Sequence, residues 1–234
     1  TYSTDSLADV QWTRLENLEE LQINMGSRDE NDDLLNLDKL SKLTRLELKV
    51  HAINAEIAKK MTTTLLALNI STERTILIEM DLTSMKNLRE LSFSNTIVDP
   101  RCLENLADLT ALESFSVNWW LQPELINISK ITRLTSLRLI NETKEAQQML
   151  SLLTNLQNLA ISSLSDDTIR NLTTLKNLTS LTCMRLESEG FALTCLTNLQ
   201  RIIAKPNLNT TKETGVSVRD KIVKALPHVI SALL

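Results

Sequence analysis

Leu150-Ser-Leu-Leu153-Thr-Asn-Leu156-Gln-Asn-Leu159-Ala-Ile161 is followed, 22 residues on, by Leu172-Thr-Thr-Leu175-Lys-Asn-Leu178-Thr-Ser-Leu181-Thr-Cys183. Both stretches obey one pattern, L-x-x-L-x-x-L-x-x-L-x-[LIC], and two periods are superposed in it. The last part, L-x-L, alternates apolar with polar, as a strand with one buried face requires. The first part repeats leucine every third residue, which suits a turn of helix or 3₁₀ helix. A strand and a short helix in 22 residues make one coil, and neither piece can bury its apolar face alone. Stacking successive coils buries a continuous leucine column and lays the strands side by side as one parallel sheet.

Working outward, the same segment recurs along the chain. Its central residue falls at Leu21, Leu46, Leu68, Leu91, Phe115, Leu137, Leu159, Leu181 and Ile202, with steps of 25, 22, 23, 24, 22, 22, 22 and 21. On these residues the chain resembles the leucine-rich-repeat superfamily over about residues 12–206. The short period is similar to the bacterial-internalin and phosphatase-regulator type. Leu164-Ser-Asp-Asp-Thr-Ile-Arg-Asn-Leu172 is similar to the cysteine-containing type found with F-box proteins. The resemblance implies an α/β fold: a curved, right-handed leucine-rich-repeat solenoid with a parallel concave β-sheet and short convex helices or 3₁₀ turns. Those families place asparagine or cysteine five residues after the central leucine, where it bonds neighbouring loop backbones. Here that position holds Gly26, His51, Glu73, Thr96, Trp120, Glu142, Leu164, Leu186 and Asn207, so the asparagine ladder is nearly absent and irregular stacking is expected.

The pattern is interrupted in places. Ser27-Arg-Asp-Glu-Asn-Asp-Asp33 reads as a solvated loop, because the order of a calcium loop is missing from it. Ile76–Met80 reads as an extra extended segment in place of one convex helix, and longer convex helices are expected at Ala55–Met61, Lys144–Leu153 and Asp166–Thr173. A solenoid must cover its two open ends. Residues 1–14, with a short helix after Thr4-Asp5-Ser6, are expected to form an N-terminal cap, 15–206 about nine repeats, and 207–234 a loop and a C-terminal capping helix. In that helix Ile222, Leu226 and Ile230 recur at spacing four, interrupted near Pro227. The whole is expected to be a single domain and a fragment of a larger protein, with the start of a further domain as the rival reading of the C-terminal segment.

Composition narrows the function. The 234 residues carry a net charge of −4, which argues against a general nucleic-acid or anionic-membrane surface, and no apolar run is long enough to span a bilayer. Three glycines leave little scope for a phosphate-cradling loop, and no nucleotide-binding or nucleophile-elbow motif occurs. His51 and His228 have no partner at metal-ligand or base–nucleophile spacing, so both read as structural. Cys102, Cys183 and Cys195 lie in apolar rows and read as small core residues, reduced in a cytoplasmic setting. Six N-x-[ST] sequons, at Asn69, Asn127, Asn141, Asn171, Asn177 and Asn209, keep an extracellular, glycosylated alternative open. No enzyme, cofactor, metal or small-molecule substrate is expected.

What remains is a surface. Residues flanking the buried leucines of each strand point out of the concave face. The first repeats present mixed charge (Glu20, Arg45, Glu47, Lys49, Glu90), the centre is hydroxyl-rich, and the last repeats mix apolar residues with cations. Exposed apolar side chains beside arginine match the composition of protein interfaces. The candidate partner-binding residues are Trp119, Arg138, Ile140, Met184, Arg201, Ile203 and Lys205. Ile140 and Ile203 have a plainer reading, as residues covered by the cap or a loop. Trp119 has one too: with Trp120 it fills the space the missing asparagines leave, rather than anchoring a partner. The expected function is a protein-interaction module, the sensing or substrate-recognition part of a larger intracellular protein of immune-receptor or ligase-receptor type. Alternatives are a bacterial effector or surface protein that binds a host protein, a substrate-presenting domain attached to an enzyme region, and a structural spacer.

Overall fold

Alternation across a short apolar strand predicts that every L-x-L segment buries its leucines on one side of a sheet, and every one of them does. The computed structural model describes residues 12–24, 37–50, 61, 63–72, 77–78, 80–98, 100–117, 128–140, 144–187, 191–204, 222, 226 and 229–232. They belong to two compact units, Thr1–Arg133 and Leu134–Leu234. In the first unit the strands are β1 (Glu20–Asn24), β2 (Arg45–Val50), β3 (Ala67–Thr72), β4 (Leu77–Ile78), β5 (Glu90–Ser94), β6 (Ile97–Val98) and β7 (Ser114–Val117). In the second they are β8 (Ser136–Leu139), β9 (Asn158–Leu164), β10 (Ser180–Leu186), β11 (Arg201–Ala204) and β12 (Ile230–Ala232).

Within each unit the strands pair in parallel, with the central residues in register. Leu21, Leu46, Leu68, Leu91 and Phe115 form one row. Leu137, Leu159, Leu181 and Ile202 form the other. All nine are buried. The triplet-spaced leucines behave as expected too. Leu156 donates its amide to Leu153 and Leu153 to Leu150, and the same three-residue steps run Leu178–Leu175–Leu172 and Leu199–Leu196–Leu193. These 3₁₀ turns direct one leucine per step into the core.

A second ladder, invisible to the strand reading, joins successive coils just before each strand. The amides of Thr179 and Ser180 both donate to the Gln157 carbonyl, those of Gln200 and Arg201 to Thr179, and those of Gln157 and Asn158 to Thr135. The first unit repeats the device at Glu19, Thr44, Leu66 and Arg89. Asparagine does form a ladder here, but four residues before the central leucine rather than five after it. The Nδ2 groups of Asn87, Asn177 and Asn198 donate to the carbonyls of Thr63, Thr154 and Lys176 at 3.3, 3.1 and 2.6 Å. Threonine hydroxyls add to it, from Thr64 to the Leu43 carbonyl at 2.6 Å and from Thr174 to Ser151 at 3.1 Å. At the position where asparagine was expected, Leu164 and Leu186 are buried in register with each other, so the core is filled with hydrocarbon there.

The helices at Lys144–Met149, extended by a 3₁₀ turn over Leu150–Leu152, and at Asp166–Leu172 match the expected segments. Ser165 caps the latter, accepting from the Thr168 amide at 3.2 Å, while the Thr168 hydroxyl donates to Gln147 at 2.7 Å. The expected helix at Ala55–Met61, the loop at Ser27–Asp33 and the N-terminal cap helix fall outside the described residues. The extra segment at Ile76–Met80 supplies β4, which pairs in parallel with β6 in a separate two-stranded sheet.

The C-terminal segment differs from the expected helix. Leu226 does bond back to the Ile222 carbonyl at 2.8 Å as in a helical turn, and both are buried. Ile230, however, lies on β12, in register with Arg201 of β11. A proline at 227 has no amide to donate, which ends helix propagation there. The unpaired edge of β11 then offers the chain a better set of backbone partners.

Cys195 also differs. Cys102 and Cys183 are buried, but Cys195 is exposed, on the 3₁₀ turn Phe191–Cys195. Spacing of three holds Leu193, Leu196 and Leu199 inward and leaves the residue before Leu196 on the outside. Burial pushes the Cys183 thiol up to about 12 from its ordinary 9.0. The native protein is therefore expected to react with a thiol reagent such as Ellman's reagent at one site rapidly at pH 8, and at three only after denaturation. Mass mapping should place the fast label on Cys195. The folded Cys183 pKa lies above the unfolded one, so its contribution to stability is intact below pH 9 and declines as pH rises toward 12.

Candidate functional site

The sequence-predicted residues that the structure describes all lie in the second unit. Trp119 and Lys205 fall outside the described residues. Arg138 is exposed on β8, with Ile140 half-buried just beyond it. Met184, on β10, is 38% exposed although its neighbour Cys183 is only 1% exposed. Arg201 is exposed on β11 and Ile203 is half-buried there.

Register relates them to one another. Arg138, Ala160, Thr182 and Ile203 form one row across β8 to β11. Ser136, Asn158, Ser180 and Arg201 form the row below it. Strands about 4.8 Å apart put Arg138 and Arg201 about 14 Å apart across the sheet, and the two-residue offset adds about 7 Å along it. Between the two arginines the face is floored by small side chains, Ala160, Thr182 and Ser180, all half-buried. The outcome is a smooth platform bordered by cations and topped by one exposed thioether.

A third cation was missed by the sequence reading. Strict alternation puts Arg185 inside, but both Met184 and Arg185 are exposed, and Leu186 takes the buried place. The neighbouring strand breaks alternation at the same step, with Ile161 and Ser162 both buried and Leu164 the next inward leucine. The signal was present: Cys183 to Leu186 and Ile161 to Leu164 are each three residues apart, where a continuing strand would space them by two.

Electrostatically the two units contrast. In the first, arginines on and beside the strands have carboxylate partners. Arg45 lies 3.4 Å from Glu90 and 3.9 Å from Glu20, and Glu113 receives Arg133 at 3.4 Å and Arg89 at 3.8 Å. In the second, strands β8 to β12 contain no Asp or Glu. Arg138, Arg185 and Arg201 have no carboxylate partner among the described residues. The unit's described acids, Glu145, Asp166, Asp167 and Glu187, lie on its helices or past the end of β10, and Asp167 is engaged by Arg170.

Among the described residues no group of three or more His, Cys, Asp or Glu is placed to hold a metal ion. The dent lined by Leu172, Lys176, Cys195 and Asn198 is on the helical side, away from the strands. Among the described residues no helix is long and apolar enough to cross a membrane.

No protein-family model matches the chain, and no curated protein matches it in sequence. Solved structures do resemble it. An internalin (InlF) of Listeria monocytogenes shares 18% identity over 94% of this chain and 68% of its own, with a TM-score of 0.55. Internalin C2 of the same organism shares 19% over 96% and 84%, at 0.47. A plant peptide hormone receptor, solved in complex with RGF2, shares 18% over 70% and 26%, at 0.46. At these two lower scores the likeness adds nothing to the fold argument, and at 18% identity the first bears on fold alone. The 22-residue spacing, the in-register leucine rows and the likeness to InlF agree, and the chain has the leucine-rich-repeat fold.

Proposed function

We propose that the chain is a protein–protein interaction module, recognising a macromolecular partner through the outward face of its repeat strands, and that it has no catalytic role of its own. One observation carries the reading: Met184, Arg138, Arg185 and Arg201 are exposed on neighbouring strands of one sheet, beside small half-buried side chains, and the arginines have no carboxylate partner among the described residues. Arginine and an apolar anchor on a flat, accessible surface are the groups that contribute most when a protein interface closes over them. Ile140 and Ile203 belong to the proposed contact region, and Trp119 and Lys205 are proposed separately as partner contacts.

The setting we propose is the sensing or substrate-recognition part of a larger, cytoplasmic protein of immune-receptor or ligase-receptor type. The division into a cap over 1–14, repeats over 15–206 and a C-terminal segment over 207–234 belongs to the same proposal. A second setting, a bacterial effector or surface protein that binds a host protein, is separated from the first by which lysate supplies the partner.

The test is capture of partners by cross-linking from host and bacterial lysates, with wild type beside Arg138→Glu/Arg201→Glu. Both side chains are exposed, so the variant is expected to keep its fold and thermal midpoint. A partner held by the wild type should lose at least tenfold in affinity to the variant, about 1.4 kcal/mol. Equal capture by both would remove the site from this face.

A further inference from the structure

We propose that the occupant of this face is an extended, acidic peptide segment of the partner, with two carboxylates about five residues apart bound by Arg138 and Arg201. The inference rests on the reading of the strand face as a partner-binding surface and adds the chemistry of the partner.

Three observations lead to it. The first is charge. The strands of the second unit carry Arg138, Arg185 and Arg201 and not one acid, although the chain as a whole is acidic at −4. In the first unit the comparable arginines are neutralised from within by Glu20, Glu90 and Glu113. The first unit therefore satisfies the arginines of its strands internally, while those on the strands of the second have no carboxylate among the described residues and suit an outside anion. Guanidinium groups match carboxylates in a two-pronged geometry that ammonium groups lack, and all three residues here are arginine.

The second is spacing. Arg138 and Arg201 stand about 16 Å apart, from three strand separations and a two-residue offset. An extended chain rises about 3.3 Å per residue, so one carboxylate for each arginine calls for a separation of about five residues. Arg185 lies two strands and three residues from Arg138, about 14 Å away, and can take a third acid off the main line.

The third is the floor. Ala160, Thr182, Ser180 and Asn158, lying between the two arginines in the register, are too small to obstruct a backbone, and their hydroxyls and amide can bond to one. Met184, exposed beside them, offers an adaptable apolar contact to a side chain between the two acids. A nucleic acid is the less suited polyanion: three cations on a chain of net −4 give little counterion release.

The experiment is selection of a random fifteen-residue displayed peptide library against the full chain. It is followed by fluorescence anisotropy on synthetic versions of the enriched sequences. Enriched peptides are expected to carry Asp or Glu pairs four to six residues apart. Replacing either acid by its amide, or making Arg138→Glu or Arg201→Glu, is expected to weaken binding at least tenfold, and Arg138→Lys to weaken it less. Raising the salt from 50 to 300 mM is expected to weaken binding as well. Acid-free peptides that bind wild type but not Ala160→Trp would overturn the acidic partner and keep the strand face as the site. Peptides indifferent to every one of these substitutions would overturn both, and an empty selection would overturn the acidic peptide. A twenty-nucleotide RNA that displaces the peptides at lower concentration than they bind would overturn it in favour of nucleic acid.

Discussion

Phe115→Ala is expected to cost about 4 kcal/mol of folding stability, while Ser116→Ala, one residue on, stays within about 0.5 kcal/mol. Phe115 is fully buried, and it stands in register with Leu91 on the next strand. Truncation removes a ring from the buried row that it shares with Leu91 and leaves a cavity that packed neighbours fill only in part. Ser116 faces outward from the same strand and is half-buried. The damage should also be local in a way that a globular core would not allow, because each coil touches only its neighbours. Amide exchange is expected to accelerate most in β5 and β7, whose pairing Phe115 secures, and least in β1 at the far side of the first unit. Urea titration followed by fluorescence gives the total cost, and exchange read by mass spectrometry gives its distribution. Uniform acceleration across the unit would mean that it unfolds as one cooperative block.

The strands were legible because alternation is a two-residue rule that a short apolar segment states completely. All nine central residues are buried in strands for that reason. The 3₁₀ turns were legible in the same way from leucine at every third position. Features set by the space between coils were not. The ladder of Asn87, Asn177 and Asn198 depends on where the preceding coil presents a carbonyl, and the register of one coil on the next fixes that. β6 is two residues long and its partner is β4, in the preceding coil, so its own sequence carries almost no signal. Ile230 fits a helical spacing of four, yet an open sheet edge outweighs it. Within the candidate site, the exposure of Arg138 and Arg201 was legible because they flank the central residues Leu137 and Ile202 directly. Arg185 escaped because the alternation it breaks was the rule being applied.

Leu164→Asn should destabilise the protein by about 4 kcal/mol, and more than Leu164→Ala. Asparagine is nevertheless the residue that the repeat families resembled by this sequence place there. In those families the amide side chain bonds loop backbones. Here Leu164 and Leu186 are both buried, 0% and 3% exposed, and stacked in register. The Leu164 carbonyl already accepts the Glu187 amide at 3.0 Å, so part of the loop's bonding capacity is in use. The ladder that joins these coils runs through Asn177 and Asn198 on the other flank of the strand. Leu→Ala forfeits buried hydrocarbon and opens a cavity, about 3 kcal/mol. Asparagine forfeits similar hydrocarbon and also buries an amide with too few partners, an added 1–3 kcal/mol or so, offset in part by the volume it fills. The comparison of Ala with Asn therefore isolates the polar penalty. A larger loss for Asn means that this protein has exchanged the loop ladder for hydrocarbon packing. A smaller loss means that the loop beside Leu164 still presents the backbone groups an asparagine needs, and that leucine replaced it without reshaping the coil.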